Sequence, residues 1–401
     1  MTATDPMTTT EAPASTAPSS TAGPSAAMAG ATAAPISATE RLTALRTLLD
    51  ELELDALVVS RTANKRYFSG FKLGRGEEET AGYAGTLVVT REAHLLLADS
   101  RYTEQAEHEA SGWEIVPTAR GIEDELPPVL ARLDAVRVGL EAQVVSHAAW
   151  SALGEAAPGL ELHAIDEELA QIRLVKASHE VDAIRRACAL TDACFEHLLD
   201  WVRPGMTEDE VAWELTGWFR ANGAEDLAFD PLVLAGRRAA MPHGKPSSAR
   251  IARGNVLLID FGCQVDGYRS DMTRTVFIGE PPDELRRWYE AVREAQALAI
   301  ETLRPGVNGQ EIDAIARERI AREGVEPYGH GLGHGIGLET HEPPSLRRTK
   351  PYELAAGMVF SVEPGIYRPG RTGIRIEDIV VLEASGARRL TQSTRELIVI
   401  G

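Results

Sequence analysis

Two apolar runs in the C-terminal part of the chain each carry an acid where an acid is costly. "VLLIDFG" presents Asp260 and "VFSVEPG" presents Glu363, and Asp271 in "GYRSD" and Glu377 in "GIRIE" follow shortly after. Burying an unpaired carboxylate is expensive, and four converging carboxylates hold protons unless positive charge sits among them. Two divalent ions would balance those four charges. The stretch "GHGLGHGIGLETHE", Gly329 to Glu342, adds imidazoles at His330, His334 and His341. A glycine in a helix interior costs about 1 kcal/mol, so a segment this rich in glycine belongs on strands and loops. His330 and His334 have the spacing of a zinc-protease helix but lack its intervening glutamate. The glycines by themselves are weak evidence for a nucleotide loop, and such a loop leaves the histidines unexplained. His334 would complete an oxygen-rich ligand set with the four acids. That set suits manganese, with cobalt or zinc as alternatives.

Those acids need elements that bring them together, and an internal repeat provides them. "RPGMTEDEV" at Arg203 and "RPGVNGQEI" at Arg304 lie 101 residues apart, with Pro204, Gly205 and Glu210 recurring as Pro305, Gly306 and Glu311. In each unit a capping residue, Thr207 or Asn308, precedes the glutamate by three positions and opens a helix. Val211, Leu215, Trp218 and Phe219 make one apolar face; Ile312, Ile315, Ala316 and Ile320 make the other. "ARGNVLLIDFG" and "AAGMVFSVEPG" are offset by 103 residues, so Asp260 matches Glu363, and Asp271 then matches Glu377. Each half delivers one carboxylate from a buried-looking strand and another from a second strand. Packing about a pseudo-twofold axis would converge all four.

Upstream, Ser37 and Glu40 form a capping-box pattern, followed by Leu42, Leu45, Leu48 and Leu49 at helical spacing. "DALVVS", "TLVVT", "HLLLAD", "WEIV" and "VRVGLE" read as strands. Residues 37–165 therefore form an α/β domain without a dense cluster of ligand-type residues. A long helical region is expected from Asp166 through "IRLVKASHEVDAIRRACALTDACFEHLLDWV", leading into a second domain over 166–401. Residues 1–36 are mostly Ala, Thr, Ser and Pro with no Lys or Arg, and lack the charged start and apolar centre of a secretory signal. They read as a disordered tail.

The formal charge of −19 argues against nucleic acid or an anionic membrane surface as partner, and no run of about 18 apolar residues marks a membrane span. Cys188, Cys194 and Cys263 are odd in number and lack framework spacing, which points to a reducing cytoplasm.

From "MPHG" through "IRIED" the chain resembles the pita-bread metallopeptidases, specifically the aminopeptidase P and prolidase group. "IDFG" with "SDMTRT", the double-histidine stretch, "VEPGIY" and "RIED" carry the resemblance, which extends over about residues 40 to 401. One position departs: Thr340, before His341, stands where Ile or Val is usual. The resemblance implies a creatinase-like α/β domain followed by a pita-bread domain, an α/β (α+β) fold overall, assembled as a homodimer. It implies that Asp260 chelates the second metal, that Asp271 and Glu377 bridge both, and that His334 and Glu363 bind the first. His243 and His341 would assist at the scissile carbonyl, His330 and Tyr367 would lie near the substrate pocket, and Arg375 would support the neighbouring ligands. "SLRR" resembles a prolidase segment whose arginine pairs with a dipeptide's carboxylate, which would make Arg347 that residue, at a spacing two residues different.

The expected activity is hydrolysis of Xaa-Pro bonds, in dipeptides or at the N-terminus of short peptides with proline second. A metal-bridging hydroxide would attack the carbonyl, and Glu363 would shuttle the proton to the leaving nitrogen. Two other classes share the shell: a metal-free creatinase-like carbon–nitrogen hydrolase and a non-catalytic peptide- or protein-binding module. Both are expected to lose ligand acids, and here all are present.

Overall fold

The computed structural model describes residues 38–74 and 84–401. The tail read over 1–36, and Ser37 of the capping pattern, lie outside the described residues.

A six-stranded sheet organises the first part of the chain, in the order Glu114–Thr118, His94–Asp99, Thr86–Val89, Ala56–Val59, Arg137–Leu140 and Glu161–Ala164. Its two faces are covered by separate cores. Leu57 and Val59 enter one with Leu45 and Leu49 of the Ala38–Glu51 helix, while Ala56 and Val58 enter the other, as the period of two along a strand requires. All five strands expected from the sequence form. The sixth, Glu161–Ala164, was not expected; its "ELHA" is short and largely solvent-facing, and it pairs in parallel at the edge.

The long helical region after Asp166 is not continuous. It divides into Asp166–Ile172 and Ser178–Trp201, because residues 173–177 trade helical hydrogen bonds for contacts elsewhere. Lys176 donates its backbone N–H to Gly357 O at 2.9 Å. Arg173 Nη1 and Nη2 reach Glu342 Oε2 at 2.9 Å and Glu339 Oε2 at 2.8 Å, and Lys176 Nζ pairs with the other Glu342 oxygen. Arg61, from the first part of the chain, adds a 3.0 Å pair with Glu339.

The repeat is visible in the second part. Thr207 Oγ1 accepts from Glu210 N at 3.1 Å and Asn308 Oδ1 accepts from Gln310 N at 2.9 Å, opening helices Glu208–Ala221 and Gly309–Ala321. Gly205 and Gly306 precede these caps at φ +96° and +87°, a conformation that glycine adopts without penalty. One half builds a four-stranded sheet ordered Val399–Ile400, Met272–Ile278, Val256–Phe261 and Leu232–Ala235. The other builds a five-stranded sheet ordered Glu342–Leu346, Gly333–Gly335, Val359–Val362, Asp378–Glu383 and Gly386–Arg389. Helices Asp283–Thr302 and Gly309–Ala321 share one core with residues of both sheets, among them Leu258, Phe360, Val380 and Leu382.

Candidate metal centre

Strand alternation aims Asp260 inward. Leu257, Ile259 and Phe261 pack under the Ser178–Trp201 and Glu208–Ala221 helices, whereas Val256 and Leu258 belong to the core shared by both sheets. Asp260 therefore falls on the Leu258 side. Across the ladder from it stands Thr273, and Asp271 immediately precedes that strand. His334 is central in Gly333–Gly335, Glu363 directly follows Val359–Val362, and Glu377 directly precedes Asp378–Glu383. The glycines around His334 now have a reason. A Cβ on Gly333 would collide with Ser361 O, and one on Gly335 with Pro343 O, so bare backbone is what lets neighbouring strands close around this histidine.

Ligand atoms of Asp271, His334 and Glu377 all lie within 4.8 Å of one another. His334 Nε2 is 3.3 Å from Glu363 Oε1 and 3.7 Å from Asp271 Oδ2. The other ring nitrogen, Nδ1, lies 3.1 Å from Gly335 O; a carbonyl only accepts, so Nδ1 is assigned the hydrogen and Nε2 faces the acids. Asp260 Oδ1, Asp271 Oδ1 and Glu377 Oε1 are buried without a hydrogen-bond partner. Buried carboxylate oxygens nearly always find donors. Three orphaned oxygens in one place, beside an imidazole with an inward Nε2, fit divalent cations.

The electrostatics agree. Burial, and after it the charge of neighbouring carboxylates, pushes Asp271 and Glu377 well above the usual range. Burial also raises Asp260, against the pull of Arg375. Glu363 goes the other way: burial opposes its ionisation, but the hydrogen bond and charge of His334 outweigh it and hold the carboxyl at about 2. A bound divalent ion is the largest charge in such a site and favours every carboxylate in its ionised form.

All five ligand candidates line one cavity of ≈ 390 Å³, together with His243, His330, His341, Arg347 and Arg375. His243 and His341 are exposed on its wall. Although part of the His341 ring is open to solvent, burial of the remainder and the nearby His334 push it down to about 4. Arg347 is exposed at the rim. Tyr367 does not line the cavity. It stands behind the wall, with its hydroxyl 2.8 Å from Arg375 Nη1 and 3.0 Å from His330 Nε2.

The sequence profile of metallopeptidase family M24 matches residues 182–384, and that of the creatinase/prolidase N-terminal domain matches residues 41–175. An uncharacterised peptidase of Bacillus subtilis, YqhT, is 36% identical over 361 residues, covering 90% of this chain and 100% of its own. The chain belongs to metallopeptidase family M24. Two solved structures support the same placement. The Xaa-Pro dipeptidase from Bacillus anthracis superposes with a TM-score of 0.84 at 36% identity, covering 90% of this chain and 100% of its own. The X-Pro aminopeptidase from Thermotoga maritima gives 0.82 at 36% identity, covering 90% and 99%. The M24 chain is thus a metallopeptidase with a creatinase-type N-terminal part and a pita-bread C-terminal part, and the family implies divalent metal ions.

Several residues around the candidate centre of this M24 chain escaped the sequence reading. Ser361 Oγ accepts from His334 N at 3.1 Å and donates to Glu363 Oε1 at 3.2 Å. Thr273 Oγ1 donates to Glu377 Oε2 at 2.7 Å. Arg274 and Asp378, both buried, pair at 2.7 Å next to Glu377. The period of two after Asp271 was the available signal for Thr273. Thr340, the departure noted above, is buried and tethered: its hydroxyl donates to Ala228 O at 3.0 Å and accepts from Arg269 Nη1 at 3.0 Å. The described part of this M24 chain has no helix long and apolar enough to cross a membrane.

Proposed function

We propose that the chain hydrolyses Xaa-Pro peptide bonds using two divalent ions, with manganese the best match to an oxygen-rich set containing one imidazole. The convergence of five ligand-type side chains, three of them carrying an orphaned oxygen, on one cavity supports this reading most. Asp271 and Glu377 would bridge the ions, His334 and Glu363 would hold the first, and Asp260 the second. When bound, the ions supply an activated water and polarise the scissile carbonyl.

The chain's own groups do the rest. Glu363 takes the water proton and delivers it to the leaving nitrogen, which in an Xaa-Pro bond is a poor leaving group until protonated. In the metal-free site its carboxyl is held low by the hydrogen bond and charge of His334, against burial. His243 and His341 steady the developing oxyanion as N–H donors. His341, held near 4, is neutral at pH 7 and donates as an imidazole. His330 and the Tyr367–Arg375 pair shape the wall behind the substrate. The complete ligand set disfavours a metal-free hydrolase or a non-catalytic binding module.

Similar structures bear both dipeptidase and aminopeptidase names, so substrate length is read from Arg347. The Arg347 guanidinium makes no hydrogen bond or ion pair with the described residues and sits on the cavity rim, where it would meet the carboxylate of a dipeptide. The same reading divides the chain at 165/166 and pairs it as a homodimer in a reducing compartment, where buried thiols persist. Comparing kcat/KM for Ala-Pro and Ala-Pro-Ala with added manganese tests the activity. Arg347→Ala is expected to lower Ala-Pro hydrolysis by roughly 1.5–3 kcal/mol, a charge-assisted hydrogen bond, and to spare Ala-Pro-Ala. Equal losses, or none, refute the carboxylate role; no cleavage of either peptide refutes the activity.

A further inference from the structure

Glu377 Oε2 accepts from one hydroxyl while Glu377 Oε1 is left bare. That hydroxyl, on Thr273, is fully buried and has two partners. Arg375 Nε lies 2.9 Å away and can only donate. The single Thr273 proton must therefore point at Glu377, 2.7 Å distant. Arg375 in turn pairs through Nη2 with Asp260 Oδ2. One hydroxyl thus connects Asp260 to Glu377, acids that come from different halves of the repeat. The backbones are matched to it: Glu377 N donates to Thr273 O at 3.1 Å, and Arg274 Nη1 bonds both Thr273 O, at 3.0 Å, and Glu377 O.

The device has no twin. With Asp271 matched to Glu377, the repeat places Ile379 opposite Thr273, and Ile379 is a buried apolar side chain. Glu363 and His334 rely instead on Ser361.

We propose that Thr273 is a positioning residue that makes the two ion sites unequal: it orients Glu377, which both ions would share, and, through Arg375, also Asp260, which the second ion alone would use, so the second ion depends on it more than the first. This rests on the two-ion reading above. A β-branched residue suits the task because branching at Cβ restricts its χ1 rotation, and groups that orient metal ligands typically govern 10–100-fold in affinity.

The test uses the full chain, stripped of metal and titrated with manganese chloride by calorimetry, with manganese electron paramagnetic resonance followed in parallel. Wild-type protein is expected to show two binding events and, at two equivalents, the signal of a spin-coupled pair. Thr273→Val, nearly the same shape without the hydroxyl, is expected to keep the first event and weaken the second about 10–100-fold, leaving an isolated-ion spectrum. Thr273→Ser is expected to restore the second event. Thermal unfolding of the metal-free proteins checks that each variant folds, and Thr273→Ala is read in the same way if the valine variant does not. Two events in wild type with an unchanged second affinity in Thr273→Val overturn this inference alone, as does equal weakening of both events that serine fails to repair. A single ion in wild type overturns the two-ion reading and this inference with it.

Discussion

Two groups of buried acids sit in this molecule and meet opposite fates. At the junction after Ile172, Glu342 and Glu339 are matched by Arg173 and Lys176, with Arg61 in addition. Glu342 is pulled below its usual range: burial opposes ionisation, but the Lys176 and Arg173 charges outweigh it. At the candidate metal centre Asp260, Asp271, Glu363 and Glu377 share a single guanidinium, Arg375, and three of the four are pushed upward. Burial is common to both groups. What marks the candidate ion site is the charge deficit and the carboxylate oxygens that no donor among the described residues reaches.

The largest effect should come from removing one acid at the centre. Asp271→Asn is expected to lose metal and activity together, by at least about three orders of magnitude in kcat, as for an essential catalytic group. Its metal-free form should be no less stable than the metal-free wild type, because a like charge has been removed from a repelling cluster. A metal-free Asp271→Asn protein with a clearly lower melting temperature would break the comparison.

Glu342→Gln should do the reverse. Breaking a buried ion pair costs about 3–5 kcal/mol, so stability falls while manganese uptake per folded molecule stays near that of wild type. The pH dependence has a definite sign. Glu342 has a depressed folded pKa, so its contribution is fully present above the unfolded value, about 4.3, and is lost as pH falls through the folded value. Denaturant melts between pH 7 and pH 3 should show the gap between wild type and Glu342→Gln closing in acid. A gap that stays constant would mean the junction acid is not held ionised by its cations.

The smallest of these changes sharpens the comparison within the cavity itself. His243→Ala is expected to retain its metal, since His243 carries none of the deficit, and to lower kcat about 10²–10³-fold, the usual cost of one oxyanion donor. Elemental analysis beside steady-state kinetics checks it. Metal loss as complete as in Asp271→Asn would assign His243 to the ligand set.

Much of this was legible before the fold was in view. The acids on apolar strands, the matched offsets of the repeat and the caps at Thr207 and Asn308 are local patterns, and local patterns survive in a string of letters. The junction was not legible, because Lys176 and Glu342 lie far apart in sequence and nothing in either segment announces the other. The break at residues 173–177 follows from the same pairing, which overrides a run that otherwise suits a helix. Thr273 was hidden for a related reason. A hydroxyl serves whichever carboxylate the other half of the repeat brings to it, and its own neighbours do not say which.

The collisions that a Cβ would cause at Gly333 and Gly335 bear on how this centre can be re-engineered. A mutational library aimed at a different metal preference gains nothing from randomising those codons, since every non-glycine clone pushes the His334 strand off its neighbours and drops out whatever the metal. Ser361 and Thr273 touch the candidate ligands through their side chains, Ser361 at His334 N and Glu363 and Thr273 at Glu377. Diversity spent there changes the ligands' surroundings while leaving the strand that carries His334 in place.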